Sequence, residues 1–214
     1  MADLFFSSRP LFFLKRGHIK SIEMNELATA SLSHACILSL CTDPCLHPGR
    51  HLKDRLSPRV VSGCPNGEDA FGTWLASGAE WVTIGRYDDS TLVYVPSQDS
   101  FYYASPGCIL SDQCPKHTVF LGQFVVDSNS TPRVLVHDLL RMQGTDFKDM
   151  PPRERYACLQ QLGGCLGPLC TVQWVGDCKV LKGELKSGRF KVPHAVSSVI
   201  VLTSAPGRVR SLPI

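Results

Sequence analysis

The feature that most constrains this chain is a succession of short runs rich in β-branched and aromatic residues, each closed by turn residues, from Arg59 onward. "WVTIGRYDDSTLVYV", Trp81 to Val95, reads as a strand, a tight polar interruption at Tyr87–Ser90 and a second strand. "TLVYV" and "FYYAS" flank "PSQDS", a hairpin turn. "HTVFLGQFVVD" is a strand closed by the turn "SNSTP", and "RVLVHDLL" is the next strand. "PPRERYACLQQLGG" then changes the rhythm. Pro152 suits a first helical turn, Tyr156, Leu159 and Leu162 share one helical face, and Gly163–Gly164 ends the helix. "CTVQWV" and "SSVIVLT" supply later strands, and "VLKGELKSG", Val180–Gly188, reads as a hairpin turn. This is the pattern of an α+β chain with mainly antiparallel sheets and few helices. It is not a βαβ alternation, and no glycine-rich phosphate loop opens a helix.

A chain of 214 residues can bury a core without covalent staples. Residues 1–57 differ in character from the rest. "SIEMNELATASLSHACILSL" has helical spacing of apolar residues, and "CTDPCLHPGRH" breaks any regular element with two prolines and a glycine. The expected organisation is an amino-terminal extension over 1–57, partly helical or disordered, and a domain over 58–214. The apolar runs of "MADLFFSSRPLFFLKRGH" are interrupted by Arg9, Pro10 and Lys15, unlike a signal peptide. No run is long enough to span a membrane. The expected setting is intracellular, nucleus or cytoplasm, with the ten cysteines reduced and mostly buried. A net charge of +3 is too small to argue for nucleic acid by itself, and DNA is not indicated.

Two chemical clusters are weighed and set aside. Cys41, Cys45, His47 and His51 have spacings a zinc ion tolerates, but paired C-x-x-C knuckles are absent and Pro44 and Pro48 restrict the loop. No metal site is expected. No G-x-S-x-G elbow marks a hydrolase.

Over about residues 75–205 the order of elements resembles the nucleotidyltransferase domain of messenger-RNA capping enzymes and ATP- or NAD-dependent ligases. It is also similar to the non-catalytic cap-binding domain of snurportin, which has a comparable Glu-Trp pair, here Glu80–Trp81. The catalytic family carries K-x-D-G between two strands, where the lysine attacks the α-phosphate of a nucleotide. The matching residues are Arg86, Tyr87, Asp88 and Asp89. Lysine serves as nucleophile because it can lose its proton, and a guanidinium cannot. The family's D-G-E strand, whose glutamate helps to bind metal and ribose, is matched by Gly122 and Gln123. Its aromatic-Asp pair is matched by His137 and Asp138, its turn glycine by Gly144, and its P-x-x-x-R helix by the segment with Arg153 and Arg155. These arginines are expected to form a solvated helix face. In "VPHAVSSVIVLTS" the family's H-x-x-D/E-G strand has Ser197 and Ser198 in place of acid and glycine.

The resemblance implies a nucleotidyltransferase core of the ATP-grasp-like ligase and capping type, without an OB-fold domain. Nucleophile and both metal-facing acids are replaced, so no catalytic residue, metal or cofactor is expected. The first reading is a catalytically inactive domain that binds a nucleotide, an RNA cap or end, or a protein partner. Its ligand-binding residues are Arg86, Asp88, Gln123, His137 and Asp138. The second is a divergent nucleotidyltransferase with a displaced lysine such as Lys116 or Lys182. The third is a structural or protein-interaction domain whose pocket is filled.

Overall fold

The computed structural model describes residues 19–22, 59–60, 70–87, 89–95, 97, 100–104, 107–147, 149–188, 192–203 and 209–212. The zinc candidates at residues 41–51 and most of the helix expected after Ser21 lie outside these. So does Asp88.

Among the described residues, two sheets and two α-helices build an α+β fold. The strands are β1 (Ile19–Ile22), β2 (Arg59–Val60), β3 (Phe71–Ala76), β4 (Glu80–Tyr87), β5 (Ser90–Val95), β6 (Ser100–Ala104), β7 (Thr118–Val126), β8 (Pro132–Met142), β9 (Thr145–Asp146), β10 (Cys170–Val172), β11 (Gly176–Asp177), β12 (Val196–Leu202) and β13 (Val209–Leu212). The helices are α1 (Pro152–Gln161) and α2 (Cys178–Ser187). The larger sheet runs β1-β6-β5-β4-β7-β8-β10, with β9 on β8, and the smaller runs β11-β3-β12-β13-β2. Pairing is antiparallel except for β10 with β8 and β2 with β13.

The larger sheet has two different faces. Val82 and Ile84 of β4, Val93 and Val95 of β5, and Phe120 and Phe124 of β7 point into the main core. Tyr156, Leu159 and Leu162 of α1 join them, with Ile109, Leu110 and Cys114 of the segment between β6 and β7. The opposite face meets the smaller sheet, where Val125 and Leu135 pack on Ala76 of β3. The smaller sheet buries its outer side, Trp74, Val199 and Val201, under α2.

α1 forms as the sequence predicts, with Pro152 in its first turn. The segment read as a hairpin turn at Val180–Gly188 is instead most of α2. Asp177 caps that helix, accepting from the backbone N–H of Lys179 at 2.7 Å and of Val180 at 3.3 Å, and Gly188 ends it at φ 63°. Cys178 and Leu181 are buried one turn apart on the sheet side. Gly183 inside the helix costs about 1 kcal/mol relative to alanine, which cap and burial outweigh. The expected helix over Ser21–Leu40 also starts differently, since Ser21 and Ile22 end β1, which pairs with β6. Strand β1 therefore joins the larger sheet from within the segment 1–57. Among the described residues no cysteine is in a disulfide, and Cys108, Cys114, Cys170 and Cys178 are buried.

Candidate functional site

The β4–β5 hairpin carries the first candidate residues. Tyr87 pairs with Ser90, which closes a tight hairpin. Arg86 precedes the loop and follows Val82 and Ile84 at even steps along an unbroken ladder. Its side chain therefore leaves the sheet on the main-core face. Arg86 is only 3 % exposed, and its Nη2 lies 3.5 Å from Oδ1 of Asp112, whose side chain is 83 % exposed. Its Nε and Nη1 are buried with no hydrogen-bond partner.

Gln123 lies on the other face. It pairs across the ladder with Trp81, an odd step from Arg86, and it points at the smaller sheet. There β3 has a stretch of backbone edge that short β11 does not reach, because β11 pairs only with Phe71 and Gly72. Gln123 fills the gap. Its Oε1 accepts from the Ala76 N–H at 3.0 Å, and its Nε2 donates to the Trp74 carbonyl at 3.3 Å. Gln173 donates to the same carbonyl at 2.9 Å and takes a further bond from Gln123 at 3.5 Å. A primary amide offers a donor and an acceptor side by side, as a neighbouring strand would. A carboxylate at residue 123 has no donor for the Trp74 carbonyl. The neighbouring Gly122 has a steric reason: a Cβ there would meet the Leu135 carbonyl oxygen at 2.9 Å.

His137 sits where the β7–β8 register slips. Gly122 pairs with Val136 and Leu121 with Asp138, so His137 is the extra residue of a bulge. Its ring is 0 % exposed and meets Trp81 edge-on at 5.4 Å, which places it on the Gln123 face. Burial pushes its pKa down to about 4, against the upward pull of the Asp138 carboxylate and the Leu135 backbone. The imidazole is therefore neutral at pH 7, with the Trp81 ring packed edge-on against it.

Asp138 is committed to α1. Arg155 donates to its two oxygens from Nε at 2.8 Å and Nη2 at 3.0 Å. The same guanidinium donates to the carbonyls of Met150 at 2.6 Å and Thr203 at 2.9 Å. Asp138 also accepts from the Leu139 N–H at 2.9 Å. Arg155 thus ties β8, α1 and the end of β12 together. Of the two arginines expected on a solvated face, Arg155 is fully buried, whereas Arg153 is exposed and lies over the Phe71 ring at 5.2 Å. Asp138 bridged by an arginine needs no external cation.

The structure brings Gln123 and His137 to one face, around Trp81. It does not bring Arg86 to them, because β4 turns that side chain to the other side of the sheet. Gly144 fills the expected turn: Gln143 at φ 50° and Gly144 at φ 82° form the β8–β9 hairpin loop. Residues that the sequence reading passed over are Thr91 and Thr118. Each is a direct cross-strand partner of Arg86 and so shares its face. Their buried hydroxyls have no hydrogen-bond partner, nor does that of Ser111 in the segment above. The period of the strands was the signal available for them, but the register between strands was not.

Of the lysines considered as displaced nucleophiles, Lys116 is 56 % exposed and lies 3.6 Å from Asp89. Lys182 is on α2, over the smaller sheet. Among the described residues no group of three or more His, Cys, Asp or Glu side chains is placed to hold a metal ion. Among them, too, no helix is long and apolar enough to cross a membrane.

The fold is thus a two-sheet α+β domain with polar clusters on both faces of its larger sheet. Among solved structures it is similar to a mycobacterial DNA ligase D complexed with ATP and MES, at 14 % identity and a TM-score of 0.46, over 73 % of this chain and 60 % of that one. It is also similar to the ligase domain of M. tuberculosis LigD, at 17 % identity and a TM-score of 0.37, over 75 % of this chain and 57 % of that one. The chain spans under two thirds of the length of either. No protein-family model matches the sequence, and no curated protein matches it.

Proposed function

We propose that this chain is a non-catalytic domain of nucleotidyltransferase type that works by binding: its ligand is a nucleotide or an RNA cap or end. The observation that carries this is Arg86. It stands at the place of the attacking lysine in a hairpin of matching order, and a guanidinium cannot act as nucleophile. It keeps positive charge there, with two donors uncommitted. The displaced-lysine reading is weaker, because Lys116 is largely in water and paired with Asp89. The acids that would hold metal ions are replaced by Gln123, which bonds the β3 backbone, and by Ser197, whose hydroxyl donates to the Leu75 carbonyl at 3.2 Å.

One set of contacts favours a second reading, a protein-interaction domain. Gln123 and Asp138 are hydrogen-bonded by the fold, and the His137 ring is buried edge-on against Trp81, as in a domain whose nucleotide cleft has been filled. Melting curves of the full chain with GTP, ATP and methylated cap analogues separate the two. A ligand that binds only the native state raises its apparent stability by mass action. A saturable rise with one of them supports nucleotide or cap binding. Indifference to all of them leaves the protein-interaction reading.

A further inference from the structure

Two segments distant in sequence bring Cys108, Cys114, Cys165 and Cys170 to one end of the main core. Cys108 and Cys114 lie between β6 and β7. Cys165 closes a 3-10 turn, Gly163–Cys165, that follows α1, and Cys170 opens β10. The two segments run side by side about an antiparallel bridge of Leu110 with Leu166. The Ser111 N–H donates to the Cys165 carbonyl at 2.9 Å, the Gly167 N–H to the Ile109 carbonyl at 2.7 Å, and the Leu169 N–H to the Cys108 carbonyl at 3.1 Å. Gly167 permits this approach, since a Cβ there would meet the Cys108 carbonyl oxygen at 2.6 Å. Cys108, Cys114 and Cys170 are buried in the core, and Cys165 packs against it from a half-buried position.

Cys114 and Cys165 meet where these segments cross. The Cys165 thiol donates to the Gln113 carbonyl at 3.6 Å. That oxygen and the Cys114 Cα share one planar peptide unit and lie about 2.8 Å apart, which sets the Cys165 sulfur within about 6.4 Å of the Cys114 Cα. Side-chain rotation at the two residues spans the rest of the distance to disulfide geometry. The backbones are held at this spacing, because the Cys114 N–H donates to the Ser111 carbonyl at 3.0 Å and Ser111 is itself bonded to Cys165. Burial pushes the Cys114 pKa up to about 12, the Cys165 sulfur adds to the rise, and Arg86 opposes it. We propose that Cys114 and Cys165 are a redox-responsive pair, closed to a disulfide by a small-molecule disulfide oxidant such as glutathione disulfide. Half-buried Cys165 is the thiol the oxidant reaches, since Cys114 is 3 % exposed. The Cys165 thiolate attacks one sulfur of the oxidant, forming a mixed disulfide and releasing the first glutathione thiolate. Cys114, after losing its proton, attacks the Cys165 sulfur and expels the second. Two protein thiols are thereby oxidised by two electrons, and one oxidant disulfide becomes two thiols that take up the two protons. The raised Cys114 pKa makes this second step the slower one. The bond ties the segment that carries Asp112, the ion-pair partner of Arg86, to the end of α1. Cys108 and Cys170 are both buried, so neither meets the oxidant. The pair is independent of the binding reading above and does not fall with it.

The test is oxidation of the full native chain with glutathione disulfide, followed by alkylation, digestion and tandem mass spectrometry of the linked peptides. The expected bond is Cys114 to Cys165, with Cys108 and Cys170 still thiols, and dithiothreitol restores the reduced pair. Cys114→Ser is expected to stop at the mixed disulfide of Cys165 with glutathione, and Cys165→Ser to leave Cys114 unmodified. Cys158→Ser removes the other half-buried thiol and is expected to close the bond as the unmodified chain does. Should Cys114→Ser fail to fold, the unmodified chain and Cys165→Ser decide. Oxidation should raise the melting temperature of the unmodified chain more than that of Cys165→Ser treated alike, because the bond restricts the unfolded chain. A bond from Cys165 to Cys158 or Cys170 in place of Cys114 overturns the proposal. So does Cys165 left as a thiol, or left carrying glutathione in the unmodified chain. A Cys114–Cys165 bond that forms only after denaturation, or that lowers the melting temperature, overturns it as well.

Discussion

Acid should unfold this protein through His137, and the size of the effect follows from its burial. The ring is 0 % exposed, and its pKa falls from 6.5 to about 4 in the folded state. The unfolded chain accepts a proton near pH 6.5 that the native state refuses until about pH 4. Stability from this group is therefore complete above pH 6.5 and is lost as pH falls from there toward 4. A shift of this size corresponds to about 3 kcal/mol at about 1.4 kcal/mol per pH unit. His194 beside Asp127 is also lowered by burial and acts in the same direction. Glu80 is raised by burial and acts oppositely, losing stability as pH rises above 4.5. The comparison that isolates His137 is the unmodified chain against His137→Phe, which keeps an aromatic ring against Trp81 and removes the titration. Urea unfolding of both is followed from about pH 7 down to about pH 4.5, and the difference in slope is read, so the shared groups cancel. The unmodified chain should lose about 2–3 kcal/mol more than the variant over this range. Parallel curves would refute the reasoning, because they mean that His137 takes up its proton without unfolding.

The other contacts give further expectations. Gln123→Glu should destabilise by about 2 kcal/mol at neutral pH, because a carboxylate leaves the Trp74 carbonyl facing an acceptor, and chemical denaturation measures it. Asp138→Asn should cost about 3–5 kcal/mol, since it strips the charge partner of buried Arg155, whereas exposed Arg153→Ala should cost under about 1 kcal/mol. A chain beginning at Pro58 should keep a cooperative melt, because β1 is itself the edge strand of the larger sheet, beside β6, but should melt lower than the full chain. An insoluble or molten product would place residues 1–57 within the core.

Much of the architecture was readable from periodicity. Tyr156 and Leu159 at helical spacing behind Pro152 identify α1, and Tyr87–Ser90 bounds the hairpin at the register found. Helix α2 is not legible as a helix, because Gly183–Glu184 within Val180–Gly188 reads as a turn. The Asp177 cap and the Cys178–Leu181 spacing were the competing signals. The candidate site was less legible. Parity within β4 places Arg86 with Val82 and Ile84, but the partner register that sets Gln123 opposite Trp81 involves a separate strand. The bulge at His137 arises from the β7–β8 pairing and has no local mark. Arg155 carries the ordinary sequence signature of a solvated helix residue. Its burial follows from Asp138, seventeen residues earlier, which only the packed fold brings within hydrogen-bond distance.

The most direct test of binding without chemistry is an adenylylation and guanylylation assay. The full chain is incubated with α-labelled ATP or GTP and magnesium or manganese, then denatured and examined for covalent label. Arg86 at the nucleophile's place, with Gln123 and Ser197 at the places of the acids, predicts no labelled protein with either nucleotide. An acid-stable, hydroxylamine-resistant labelled band that disappears when a single lysine, such as Lys116 or Lys182, is replaced would contradict the account.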